Sequence, residues 1–156
     1  MEKNTYFEEM RKTAIAYNEA AAKRKEERDA MIKADDWDGV RAFDEREKKE
    51  FPYPFTPGEN AALVQYDRSL QNGSDEYEVD DLPWDDQMAD FVKTLRAAKV
   101  QKIVVTDQST ALMDGIYGLT NLGCKMTGLY TITRENDRRF GSREPEKKDG
   151  IAFEIN

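Results

Sequence analysis

The stretch FPYPFTPGE at residues 51–59 constrains this chain more than any other. Proline fixes its own φ, has no amide hydrogen to give, and pushes the residue before it out of the helical region. Pro52 and Pro54 therefore force an extended path, and no helix can run through that segment. Phe51, Tyr53 and Phe55 alternate with the prolines and are expected to pin the connector to the core; the alternative is an exposed recognition strip. A helix start follows at once, with Thr56 as cap, Pro57 at the first helical position and Glu59 three residues beyond the cap. The helical pattern of the chain is cut here.

Before the cut the periodicity is helical. Thr5 and Glu8 have capping-box spacing. Phe7, Met10, Ala14, Tyr17 and Ala21 then step by 3, 4, 3 and 4 residues, Arg24 and Arg28 keep the register, and Met31 closes it. This heptad-like seam predicts one long helix packed through a narrow stripe; the sharper alternative is a homodimer seam through this first helix. A second helix follows, capped by Asp35 or Asp36, with Trp37, Val40 and Phe43 on one face. Residues 1–50 read as a helical hairpin.

After the cut, Leu63, Tyr66 and Leu70 mark a buried helical stripe that Asn72 or Gly73 terminates. Residues 51–84 are read as connector, one helix and an acidic segment. Trp84, Met88, Phe91, Leu95 and Ala98 trace the inward face of another helix. Residues 102–106, KIVVT, have strand composition. Ser109 or Thr110 can start a further helix, with Leu112, Ile116, Leu119 and Leu122 inward and Gly123 as its stop. CKMTGLYTIT at 124–133 and IAFEIN at 151–156 read as two more strands. The expected fold class is α+β: the helical hairpin, and at 85–156 a small domain in the order helix, strand, helix, strand, strand. Its three-stranded sheet is expected to pair the last two strands as a long-looped hairpin and to gain the first through a right-handed crossover.

Composition removes whole classes of chemistry. The 156 residues include no histidine and one cysteine, Cys124. Ser-His-Asp and Cys-His catalysis, histidine-ligated zinc and an internal disulfide framework are thereby excluded. Cys124 itself reads as a small buried apolar residue. No cofactor or metal is expected, and any metal would be a hard cation held by carboxylates. No apolar run reaches membrane-spanning length and no signal-peptide pattern opens the chain, so the expectation is a cytoplasmic protein away from membranes. The net charge of −8 divides as −2 over residues 1–50, −6 over 51–100 and zero over 101–156. Acidity of that size weighs against direct nucleic-acid binding and suits contact with a basic surface.

The acidity peaks in SDEYEVDDLPWDDQMAD, residues 74–90, with eight carboxylates and no base. Asp75, Glu76, Glu78, Asp80, Asp81, Asp85 and Asp86 form the candidate partner-binding set: a ridge of carboxylates can imitate a nucleic-acid backbone and occupy a basic groove. Asp85, Asp86 and Asp90 also suit the first turns of a helix, where acids complement the dipole. The five acids from Asp75 to Asp81 have no such explanation and read as a solvated connector or a face shown to a partner. Tyr77, Val79, Leu82 and Trp84 alternate through the run, which favours an extended path along the core. Asp86 and Asp90 are four residues apart and, with Asp107 after a strand, could hold magnesium in a nuclease or phosphodiesterase; turning the chain or capping a helix is the simpler role for Asp107. Gly115 and Gly118 fall within a helical pattern and are expected to admit a close neighbour, not to cradle phosphate. Arg134, Arg138, Arg139, Arg143, Lys147 and Lys148 lie between two expected strands, so a 134–148 hairpin with Phe140 at its tip is the alternative nucleic-acid contact of an accessory regulator, through Arg138, Arg139 and Arg143. Nearby acids nearly cancel its charge.

The segment DFVKTLRAAKVQKIVVTDQSTALMDGIYGLTNLGCKMTGLYTITRE, residues 90–135, resembles small uncharacterised accessory proteins carried on conjugative elements and phages of gut bacteria. TDQSTALMDGIYGLTNLGCKM, the arginine-rich stretch after it and the short final strand carry the likeness. The resemblance implies a setting and no active-site residue. Small acidic proteins of such elements act in counter-defence, as anti-CRISPR or antirestriction proteins that block a nuclease without chemistry of their own. The expected function is therefore a non-enzymatic acidic inhibitor of a nucleic-acid-directed host defence nuclease, its partner the basic groove of a host protein such as an RNA-guided nuclease.

Overall fold

The computed structural model describes residues 1–136 and 144–156. Two compact units emerge, one from Glu9–Pro54 and the other from Met1–Glu8 with Phe55–Asn156. The α+β expectation holds. Of residues 51–84, expected as a separate stretch, 55–84 lie in the same unit as 85–156 and supply a helix and a strand to it, and 51–54 belong to the helical unit.

The helical unit is a hairpin of α1 (Thr5–Lys33), from Glu9 onward, and α2 (Trp37–Glu50), turned at Asp35, whose φ is +54°. Asp36 caps α2 by accepting from the Gly39 amide at 2.9 Å. The seam positions that carry arginine are used within the hairpin. Arg24 Nε donates to Glu47 Oε1 at 2.8 Å and Arg28 Nε to Asp44 Oδ1 at 2.9 Å. The Pro-rich connector closes the open end. Tyr17 Oη donates to the Phe51 carbonyl at 2.8 Å, and Arg24 lies over the Phe51 ring, 4.1 Å from its centroid. The cap of α1 sits one residue before the expected Thr5: Asn4 Oδ1 accepts from the Tyr6 and Phe7 amides.

In the other unit α3 (Pro57–Asn72) starts and ends as its sequence dictates. Thr56 and Glu59 form both bonds of a capping box, and Gly73 ends the helix in the left-handed region at φ +63°. Next come β1 (Glu78–Val79), a single 3-10 turn (Asp85–Gln87), α4 (Met88–Ala97), β2 (Lys102–Val105), α5 (Leu112–Asn121), β3 (Lys125–Arg134) and β4 (Glu146–Glu154). Met88, Phe91, Leu95 and Ala98 are buried as the periodicity required. Trp84 is not: α4 begins only at Met88, so Trp84 lies outside the helix whose stripe it seemed to continue.

The sheet has four strands in the order β1-β2-β4-β3, not three. β2 and β3 both run antiparallel to β4, and β1 runs parallel to β2. The extra strand is too short to carry a periodicity signal. β4 also starts earlier than IAFEIN, because Glu146 to Asp149 pair with β3 opposite Arg134 to Thr131. Pairing across the hairpin, not side-chain propensity, makes those polar residues a strand.

The acidic run opens as a strap across this sheet. Asp75 and Thr133 join backbone to backbone at 3.0 Å, which ties the strap to the outer edge of β3. Two and four residues on, Tyr77 and Val79 accept from the amides of Val104 and Thr106, which ties the strap to β2. Tyr77 and Val79 are buried, as their alternation predicted. Among the described residues no helix is long and apolar enough to cross a membrane.

Candidate functional site

The seven acids of the candidate set divide by what holds them. Glu78 is inside the protein, 3 % exposed, and this corrects its place on an outward ridge. Its carboxylate accepts from Arg134 Nε at 2.9 Å and from Arg134 Nη2, from Thr106 Oγ1 at 2.6 Å and from Ser74 Oγ at 3.1 Å. Burial pushes the Glu78 carboxyl up, but the hydrogen bonds and charge of Arg134, with Thr106 and Ser74, outweigh it and hold the group below its usual range. Arg134 is equally buried, so it belongs to the core and not to a basic loop.

Three more acids are engaged at the surface. Asp75 accepts from the Tyr130 hydroxyl and from the Thr133 amide, each at 3.0 Å. Glu76 pairs with Lys102 at 3.3 Å, and Lys102 lies over the Tyr130 ring. Asp80 pairs with Arg68 at 3.0 Å. Of the five acids from Asp75 to Asp81, for which no helix pattern gave a reason, these three and Glu78 are thus explained by bonds within the chain.

Asp81, Asp85 and Asp86 remain. All three are exposed, and their carboxylates make no hydrogen bond or ion pair with another described residue. They line one concavity of about 820 Å³ together with Trp84, and α5 adds a fourth such carboxylate, Asp114. A second concavity of about 260 Å³ shares Asp85 and Asp114 and adds Tyr117. Trp84 is 78 % exposed and Tyr117 65 %. Neither Asp114 nor Tyr117 could be assigned from the acidic run alone. The signal available was their spacing of three on a helix whose inward residues were already placed, which puts both on its outer face.

Local chemistry builds this face. Leu82 and Pro83 are buried, so the chain is pinned between the exposed Asp81 and Trp84. Asp107, at the end of β2, holds the segment in place: its Oδ2 accepts from the Leu82 amide at 2.9 Å and its Oδ1 from the Ser109 amide at 2.8 Å. Burial raises the Asp107 carboxyl, and those amide and hydroxyl donors more than reverse it, leaving the group below its ordinary value. Asp107 is thus committed to backbone amides. The trio of Asp107, Asp86 and Asp90 forms no metal-binding group, and among the described residues no three His, Cys, Asp or Glu side chains do. Gly115 faces Leu82 so closely that a Cβ there would overlap its Cδ1. The glycine lets α5 approach and bring Asp114 beside the acidic segment. Cys124 is buried, and desolvation raises its thiol pKa, as suits a packing role. Arg138, Arg139, Arg143 and Phe140 of the alternative basic hairpin lie outside the described residues.

Residues 61–155, more than half of the chain, match a protein-family model described as a domain of unknown function, DUF7698. The match takes in most of α3 and every later element, including the acidic face. Neither the curated proteins nor the solved structures return a match.

Proposed function

The chain belongs to the DUF7698 family, a domain of unknown function, and we propose that it is a non-enzymatic binding protein that offers its acidic, aromatic face to a basic partner. One observation carries this reading. Of the acids in the run, those held internally are Asp75, Glu76, Glu78 and Asp80, whereas Asp81, Asp85 and Asp86 converge with Asp114 around two exposed aromatic rings. Like charges gathered without an internal partner repel one another and are stabilised by an outside cation. Exposed aromatic side chains supply apolar contact area, and interfaces are enriched in them.

The resemblance to accessory proteins of mobile elements gives the partner class to test first. It is the basic groove of a nucleic-acid-directed defence nuclease, such as an RNA-guided nuclease, which this protein would occupy in place of nucleic acid. Binding should be measured against purified nucleases of that kind, with their cleavage assayed in parallel. Wild type should bind with an affinity that falls steeply as salt rises and should reduce cleavage. The variant Asp81→Asn, Asp85→Asn, Asp86→Asn, Asp114→Asn should keep its circular dichroism spectrum and lose both effects. A folded quadruple variant that binds and inhibits as well as wild type would refute the reading.

A further inference from the structure

The identity of the partner's contacting side chains follows from the way rings and carboxylates alternate on this face, and it rests on the reading just given. We infer that the face receives arginine side chains from a basic segment of a protein partner, with a guanidinium stacked on Trp84 or Tyr117 while its N–H fork meets Asp85 and Asp114. The occupant is assigned by charge complementarity: the residues lining both concavities include four aspartates and no lysine or arginine. A bare divalent cation would use the carboxylates but leave the rings idle, and a nucleic acid would stack on the rings but meet the carboxylates as like charge. A guanidinium uses both, because its plane stacks on aromatic faces and its five donors bond carboxylates in pairs.

The chain already employs this chemistry on itself. Arg24 bonds Glu47 at 2.8 Å while lying over Phe51, 4.1 Å from the ring centroid. Lys102 does the same with Glu76 and Tyr130, at 3.3 Å and 3.8 Å. In each of those pairs the cation over the ring bonds a single carboxylate, Glu47 for Arg24 and Glu76 for Lys102. Trp84 has Asp81, Asp85, Asp86 and Asp114 around it, an arrangement that rewards the cation with several donors in one plane. Trp84 is also held facing outward, since its neighbour Pro83 is buried and Leu82 is tied to Asp107.

The test uses the full chain carrying Trp37→Phe, so that Trp84 is the sole tryptophan, titrated with nona-arginine and nona-lysine peptides of equal charge. Nona-arginine should shift Trp84 fluorescence and bind about fivefold more tightly than nona-lysine. Trp84→Ala, followed by calorimetry, should erase most of that preference while leaving the thermal midpoint unchanged, and Trp84→Phe should restore part of it. Equal affinity for the two peptides, with Trp84→Ala binding both as well as wild type, would overturn the arginine inference while the acidic docking surface stands. Binding of neither peptide would overturn both. A fluorescence shift with magnesium alone, or with single-stranded DNA, at strengths matching nona-arginine would reassign the face to a different occupant and refute the inference.

Discussion

At the scale of single residues, Glu78 and Arg134 teach most. Each is nearly inaccessible to water, and desolvating two charges is costly unless each satisfies the other. Arg134→Ala leaves the Glu78 carboxylate buried among Thr106 and Ser74 with no cation, so urea denaturation should show a loss of about 3–5 kcal/mol. The double variant Glu78→Leu, Arg134→Leu removes both charges, and it should be less destabilised than Arg134→Ala alone. A double variant at least as unstable as the single one would show that the pair contributes more than mutual neutralisation. The same residues mark the limit of reading a sequence. Glu78 looks like its neighbours in an acidic run, and only its partner 56 residues away separates it from them. No local pattern carries that information.

At the scale of elements, the legible features were those whose causes are local. The capping box of Thr56 and Glu59, the left-handed Gly73 and the stripe from Met88 to Ala98 all follow from bonds and spacings within a few residues. Trp84 misled for the same reason. Its spacing fits the stripe of α4, yet the helix starts four residues later, because Leu82 and Pro83 pack inward and turn the indole out. Two element-scale predictions follow from how α5 meets this segment. Gly115→Val puts a branched side chain into the space of Leu82, and overpacking of this kind should cost about 1–3 kcal/mol in thermal or chemical denaturation. Asp107→Ala removes the acceptor for the Leu82 and Ser109 amides. Hydrogen exchange at those two amides should accelerate, and any partner affinity of the acidic face should fall with it.

At the scale of the whole molecule, acidity and stability are coupled through groups that no longer titrate normally. Glu78 and Asp107 both sit below their ordinary pKa, so each adds stability that is fully present above the usual carboxylate range. That contribution is lost as pH falls through their folded-state values. Denaturation free energy should therefore hold level near neutrality and decline below about pH 4.5, and Glu78→Gln should flatten part of the decline. A wild-type curve that kept its neutral value into strong acid would contradict the assignment. The strap that carries Glu78 also sets an order of events. It bridges β3 and β2, which meet only through β4, and its bond to Thr133 spans 58 residues, so its contacts are expected to close late. Weakening it should leave the folding rate nearly unchanged and act on the opposite process. Stopped-flow chevrons of Ser74→Ala should show faster unfolding and an almost superimposable refolding arm. The strap would then govern how long the folded molecule persists, and not how quickly it is reached.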